Sequence, residues 1–254
     1  MITATSKQVF SQKQLIMNIA LIGYGRMGHE IEAIALKRGH VLKLIIDQDN
    51  AGDLNSEKLK GIDAAIEFSS PDAAFGNIIM CLENRIPVVS GTTGWLSKYD
   101  EAVITCKKYT TSFIHSSNFS IGVNLLFRLN KELAKQIDRY SDYAVSIEEI
   151  HHTKKLDAPS GTAITLSDGI KANHKAYKGW CHETEKKESM IPIAAIREGL
   201  VPGTHTVTWD SDIDTISIRH EAKNRKGFAL GAVVAAEYIH SRKGVFTMDE
   251  VMGF

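Results

Sequence analysis

The chain is expected to be an α/β protein built on a doubly wound parallel sheet, joined to a second unit of α+β character with a mostly antiparallel sheet. Three features carry that expectation. Short apolar runs alternate with helix-period segments up to about residue 120, the pattern of consecutive βαβ units. A glycine cluster, "IGYGRMG", follows the first apolar run at once. Beyond residue 120 the chain turns to helical stretches and to segments that alternate apolar with polar residues at period two, the mark of half-buried strands.

"MNIALIGYGRMGHEIEAIALKRGHVLKLIID", from Met17, reads as a strand, a glycine turn, an amphipathic helix through about Lys37 and a second strand ending at Asp47. "GIDAAIEFSS" supplies a third strand. "PDAAFGNIIMCLENR" is a helix opened by proline, whose missing N–H is no loss in a first helical turn. "IPVVSGTTG" and "TSFIHSSNFS" are further strands with their turns. In the second unit, "NLLFRLNKELAKQID" and "SGTAITLSDGIKAN" are helices, and "DYAVSIEEIHH", "ESMIPIAAIREG", "GTHTVTWDSD" and "DTISIRHEA" are strands. The polar stretch between Lys175 and Ser189 is expected to be a loop. No internal repeat or low-complexity tract is present.

With 254 residues, 43% of them hydrophobic, the chain can bury a core without covalent staples. Lys plus Arg number 30 and Asp plus Glu number 30, so no overall field directs it to nucleic acid or an anionic membrane. A small anion held by local cations is compatible with that balance. Cys81, Cys106 and Cys181 are odd in number and form no CxxC pair, which argues against a disulfide framework or zinc ribbon and for a reducing cytoplasm. The opening "MITATSKQVFSQKQLIM" lacks a signal-peptide core, and nothing reaches the roughly 18 apolar residues of a membrane span. Residues 1–16 are read as a polar extension, with Met17 a candidate original start.

Gly23, Gly25 and Gly28 form G-x-G-x-x-G between a strand and a helix. Such glycines let the backbone approach a pyrophosphate, and the helix N-terminus adds free N–H groups and a positive dipole end. Asp47 closes the next strand about 20 residues on, where an acidic side chain accepts hydrogen bonds from the adenosine ribose. "FSSP" (Phe68 to Pro71) and "GTTG" (Gly91 to Gly94) follow the third and fourth strands, so both fall at the sheet's carboxyl edge and are expected to line a nicotinamide pocket.

The second candidate site is "EEIHHTKKLDAPSGTA", from Glu148. His151 and His152 are adjacent, and at a strand end they would point to opposite faces. Histidine can donate a proton near neutral pH, and Lys155 adds a fixed positive charge. Ser160 can cap a helix whose first amides, at Gly161 and Thr162, make a carboxylate-sized anion site together with the Thr162 hydroxyl. No cysteine or histidine lies at ligand spacing from His151, so no metal is expected.

The string E-x-H-H-x-x-K-x-D-A-P-S-G-T-A, Glu149 through Ala163, resembles the signature of the dihydrodipicolinate reductase (4-hydroxy-tetrahydrodipicolinate reductase) family. "GYGRMG", "FSSP", "GTTG" and "SSNFSIGVN" precede it in the family's order, and "IREG", "PGTHTV" and "HEAKNRKGFALGA" follow, so the resemblance spans nearly all of the chain after Met17. It implies reduction of a cyclic imine dicarboxylate by NADH and/or NADPH, with hydride going to ring C4 as water is lost, in lysine and diaminopimelate biosynthesis. His151 is then the implied acid, Lys155 a cation that shares the proton transfer and holds substrate, and His152, Gly161 and Thr162 substrate contacts. The implied cofactor set is Gly23, Tyr24, Gly25, Arg26, Met27, Gly28, Asp47, Phe68, Ser69, Gly91, Thr92, Thr93, Ser117, Asn118 and Phe119.

The resemblance further implies a Rossmann-type doubly wound sheet over residues 17–120, an inserted substrate-binding and oligomerisation domain over 121–229, and a return to the first domain over 230–254. Hinges fall near Asn118 to Ser120 and near Gly231, and a homotetramer is implied. Two departures stand out. Many members have G-x-x-G-R-M-G, one residue longer than "GYGRMG", and many carry arginine just after the acid at Asp47, where this chain has Gln48. Another Rossmann dehydrogenase acting on a small carboxylate, and a non-catalytic NADH sensor, are the rival readings.

Overall fold

The computed structural model describes residues 15–185 and 187–254, so all but the last two residues of the polar extension lie outside the described residues. In chain order the elements are β1 (Asn18–Ile22), α1 (Arg26–Lys37), β2 (Val41–Ile46), β3 (Ala64–Glu67), α2 (Pro71–Glu83), β4 (Val88–Ser90), α3 (Tyr99–Lys108) and β5 (Ser112–His115). There follow α4 (Ile121–Ile137), β6 (Ala144–His151), α5 (Gly161–Lys171), β7 (Gly179–His182), β8 (Met190–Arg197), β9 (Thr204–Asp210) and β10 (Thr215–Glu221). α6 (Lys226–Ile239), β11 (Gly244–Phe246) and α7 (Met248–Met252) close the chain.

The first sheet is parallel throughout, in the order β11-β5-β4-β3-β1-β2. Every residue of β3 and β4 is buried, as expected of central strands covered by helices on both faces. Ile31 and Ala35 of α1 and Val233 and Ala236 of α6 share one core with Leu21, Ile66 and Val89. Ile78 and Leu82 of α2 and Ala102 and Cys106 of α3 share the other, with Ile22, Val88 and Phe113. The chain passes from β1 to β2 on one side and crosses to β3 on the other. Such a reversal opens a crevice at the carboxyl ends of β1 and β3.

The second sheet, β10-β9-β6-β8-β7, is mixed. β10 with β9 and β9 with β6 are antiparallel, whereas β6 with β8 and β8 with β7 are parallel. Period-two alternation marks a strand but not its direction, which the α5 crossover between β6 and β8 sets. The stretch from Lys175 to Ser189 is not all loop, since it contains β7 and a 3-10 turn at Glu183–Glu185. β7 lies at a sheet edge with only Cys181 buried, so it carries no period to read.

Along β6 every second residue is buried: Val145, Ile147, Glu149 and His151. The first two join a core with Leu166 and Ile170 of α5 and with Ile193, Val207 and Trp209 from neighbouring strands. The last two are polar, so the apolar inward face ends in a polar cap at the strand's carboxyl end. Among the described residues no helix is long and apolar enough to cross a membrane.

Candidate active site

A cleft of about 430 Å³ sits over the carboxyl ends of β1, β2 and β3, lined by residues that include Gly23, Tyr24, Gly25, Asp47, Gln48, Phe68, Ser69 and Asn77. Gly23 has φ +93°, and a Cβ there would lie 2.1 Å from the Phe68 carbonyl oxygen, so only glycine lets the turn pass against β3. Gly25 precedes α1, and a Cβ there would meet nothing within 4 Å, which leaves its backbone open to a ligand. Asp47 is exposed at the end of β2, its N–H donating to the Asn50 side chain at 2.7 Å. A concave site with open N–H groups at a helix start and an acid at the second strand fits an adenine dinucleotide.

The remaining residues of the expected cofactor set fall into two groups. Thr93, Ser117 and Asn118 line the neighbouring cleft described below, and Arg26 lines a smaller one of about 390 Å³ together with His152 and Arg225. Gly28, Thr92 and Phe119 are buried, and Met27 packs partly into the core, so these support the loops from behind. Gly91 lies against the Phe68 ring, which a Cβ would meet at 2.1 Å.

The two loops at the carboxyl edge are tied together by Glu67, which is fully buried. Its carboxylate accepts from the Ser69 N–H at 2.9 Å, the Ser69 hydroxyl at 2.5 Å, the Ser90 hydroxyl at 2.8 Å and the Thr92 hydroxyl at 2.8 Å. Four donors satisfy a charge whose burial would otherwise be costly.

A larger cleft of about 700 Å³ lies between the two sheets, lined by residues that include Thr93, Ser117, Asn118, His151, His152, Lys155, Gly161, Thr162, His205 and His220. Ser160 caps α5, its hydroxyl accepting from the Ala163 N–H at 3.2 Å. The first N–H groups of a helix have no partner within it, and Gly161 and Thr162, at the start of α5, line this cleft, where such groups are suited to an anion. The Asn118 amide donates to the Thr162 hydroxyl at 3.4 Å, linking the loop after β5 to that helix start. Lys155 is ion-paired with Asp157 at 2.8 Å, and Lys155 and Arg197 help hold the Asp157 carboxyl below the usual carboxylate range against its own desolvation. His151 and His152 both line the cleft, although adjacent strand residues point apart, because β6 ends at His151 and the backbone turns there.

Behind the cleft stands Glu149, fully buried, with both oxygens accepting from the Ser160 N–H at 3.0 Å. Arg197 Nη2 donates to it at 3.1 Å, His151 Nδ1 lies 3.6 Å away and His205 Nε2 3.7 Å away. Burial pushes the His151 pKa down; Glu149 opposes that shift, while Lys155 and Arg197 add to it. Burial also takes His205 down to about 3. Glu149, His151 and His205 bring ligand-type atoms within 4.8 Å of one another, a grouping that sequence spacing could not show because His205 lies on another strand. Arg197 already donates to the carboxylate and Lys155 adds a second positive charge nearby, so a metal cation placed here would meet two cationic neighbours.

Two consecutive family descriptions match this chain: dihydrodipicolinate reductase, N-terminus, over residues 17–119, and dihydrodipicolinate reductase, C-terminus, over residues 122–252. A 4-hydroxy-tetrahydrodipicolinate reductase of Christiangramia forsetii is 55% identical over 237 residues, covering 93% of this chain and 98% of that one. Another, from Buchnera aphidicola subsp. Schizaphis graminum, is 32% identical over 273 residues, covering 94% and 98%. Among solved structures, a dipicolinate-bound dihydrodipicolinate reductase from Paenisporosarcina sp. TG-14 shares the fold with a TM-score of 0.75 at 24% identity, covering 93% of this chain and 99% of that one.

Proposed function

The chain belongs to the dihydrodipicolinate reductase family, and on that premise we propose how its two clefts divide the work of the reaction. The protein is an NAD(P)H-dependent oxidoreductase that reduces 4-hydroxy-tetrahydrodipicolinate to tetrahydrodipicolinate in lysine and diaminopimelate biosynthesis. Each turnover consumes one hydride and one proton and releases one water from the ring. The reduced nicotinamide supplies the hydride when bound.

The chain's own residues do the rest. The Gly23 and Gly25 backbone and the start of α1 hold the pyrophosphate, and Asp47 accepts from the ribose hydroxyls. Ser69 and Thr93, on loops braced by Glu67, and Ser117 and Asn118 border the nicotinamide end. The amides of Gly161 and Thr162, with the Thr162 hydroxyl, grip one substrate carboxylate, and Lys155 and His152 hold the other side of the ring. Lys155 exchanges Asp157, whose side chain is 59% exposed, for that substrate anion. His151 gives its proton to the ring as hydride arrives, and a dianion in the cleft raises its hold on that proton.

One observation carries this reading: His151, Lys155 and the anion-binding start of α5 share a single cleft with Thr93 and Ser117 from the nucleotide side. That juxtaposition supports a reading in which acid, cation and carboxylate grip work on a ring held beside the nicotinamide. NADH loss on addition of freshly generated cyclic imine tests it, and tight NADH binding without turnover would leave only a sensor.

The same reading divides the chain into a dinucleotide domain over 17–120 and 230–254 and a substrate domain over 121–229, closing about Asn118 to Ser120 and Gly231. It also makes the enzyme a cytoplasmic homotetramer. α4 and α5 cover one face of the second sheet, and the other presents Ser146, Glu148, Ser217 and Arg219 to solvent, a surface suited to sheet-to-sheet assembly.

A further inference from the structure

Glu149 has no role in the chemistry described so far, yet it is the most connected side chain behind the cleft. It is fully buried, and the groups around it come from four segments: His151 on its own strand, Ser160 at the start of α5, Arg197 at the end of β8 and His205 on β9. The sheet register explains the convergence. Glu149 stands opposite His205 across the antiparallel β6–β9 pair, and Arg197 is the register partner of His151 in the parallel β6–β8 pair.

His151 is confined on its other sides. Its ring meets the His205 ring edge-on with centroids 5.0 Å apart. A Cβ on Gly203, whose φ is +151°, would lie 3.0 Å from His151 Nε2, so glycine is what leaves the imidazole its place. Nδ1 is buried and has Glu149 as its nearest acceptor at 3.6 Å, without a formed hydrogen bond. Nε2 is then the nitrogen that serves the cleft.

We propose that Glu149 is a positioning residue: it keeps the His151 proton on Nδ1, so that Nε2 takes up a proton from solvent and delivers it to the substrate ring. The inference rests on His151 being the acid. In the step itself the Nε2–H bond breaks as the ring atom–H bond forms, the imidazole returns to its neutral Nδ1–H form, and the Glu149 charge is unchanged throughout. The 3.6 Å gap closes when the imidazole becomes positive, which strengthens a hydrogen bond to a carboxylate. Hydrogen bonds from Ser160 and Arg197 hold the Glu149 carboxylate in place, so its two oxygens do not follow the proton.

The groups facing His151 are Glu149 from its own strand, Lys155 and Asp157 from the following loop, Arg197 from β8 and His205 from β9. Glu149 and Asp157 favour the imidazolium, and Lys155 and Arg197 oppose it. Removing the Glu149 charge therefore shifts the balance toward neutral imidazole.

Nitrogen-15 NMR of wild-type enzyme with NADH bound reads the tautomer directly and does not depend on a variant folding. Neutral His151 should carry its proton on Nδ1, and a proton found on Nε2 overturns the proposal. Glu149→Gln should lower kcat on the order of 10²-fold, since loss of tautomer control over a catalytic histidine can cost up to ~10⁴. It should leave the KM for NADH unchanged and move the high-pH limb of kcat/KM to lower pH, with Glu149→Asp recovering part of the loss. An unmoved limb and full activity in Glu149→Gln also overturn it. If His151→Ala itself retains full activity, the assignment of the acid fails instead, and the two failures are told apart.

Discussion

Glu149 and His205 stand directly opposite each other on neighbouring antiparallel strands, and both point inward at the level where the apolar core of the second sheet gives way to the cleft. Fifty-six positions separate them in the sequence. The pairing places a hydrogen-bonded carboxylate and a neutral imidazole behind the cleft that His151 lines.

His151→Ala should depress turnover by roughly 10²–10⁴-fold, the usual contribution of a positioned acid, with little change in NADH affinity because the imidazole lies outside the nucleotide cleft. Lys155→Ala should impair both kcat and substrate KM, since its charge meets substrate and transition state alike. Steady-state kinetics with varied imine at saturating NADH checks both, and wild-type kcat in either variant removes that residue from the mechanism.

Pyridine-2,6-dicarboxylate should inhibit competitively with the ring substrate, because it offers the same two anions without accepting hydride. Its binding near neutral pH should also draw a proton from solution, as a dianion reverses the downward push that burial gives the His151 pKa. Calorimetry in buffers of different ionisation heat reads that uptake. Buffer-independent heat, or inhibition that survives Lys155→Ala combined with Thr162→Val, places the anion site elsewhere.

Much of the nucleotide half is legible because its central strands are short, mostly apolar runs that end at glycine or polar turns and alternate with helices. The glycine triplet and Asp47 could be placed on strand ends from spacing alone. β7 and β11, at the edges of their sheets and only four and three residues long, show no period. Glu149, Arg197 and His205 each sit in a readable strand, but their meeting depends on register between strands, which no local pattern encodes. Glu149 lies inside the same motif as His151, yet only the fold shows what it faces.

Cofactor choice follows from charge at the adenosine end. Asp47 repels an added 2′-phosphate, Gln48 carries no charge, and among the described residues no lysine or arginine lines that cleft. Lys43 is turned away, donating to the Lys60 carbonyl at 3.2 Å. NADH should therefore be used at least as efficiently as NADPH, and Gln48→Arg should move the ratio toward NADPH. A tenfold preference of the wild type for NADPH in kcat/KM, about 1.4 kcal/mol, would contradict this.

Stability should fall on acidification. Burial takes His205 from 6.5 to about 3, so below the upper value the unfolded chain binds a proton that the folded chain refuses. His115, His151, His174 and His220 are pushed down as well, chiefly by desolvation, and act in the same direction. The Tm should drop as the pH falls from 6.5 toward about 3, and His205→Asn should lessen that drop by removing its largest single histidine contribution. An equal drop in the variant would show that His205 is not buried as a neutral ring.

The most direct test of the central claim is the fate of the hydride. NADH carrying two deuterium atoms at nicotinamide C4 is incubated with the enzyme and freshly generated 4-hydroxy-tetrahydrodipicolinate, and the product is examined by mass spectrometry and NMR. The account predicts one deuterium per product molecule, located at ring C4, with one NADH oxidised for each ring reduced. A product without deuterium, deuterium at another ring carbon, or NADH bound but not oxidised would contradict it.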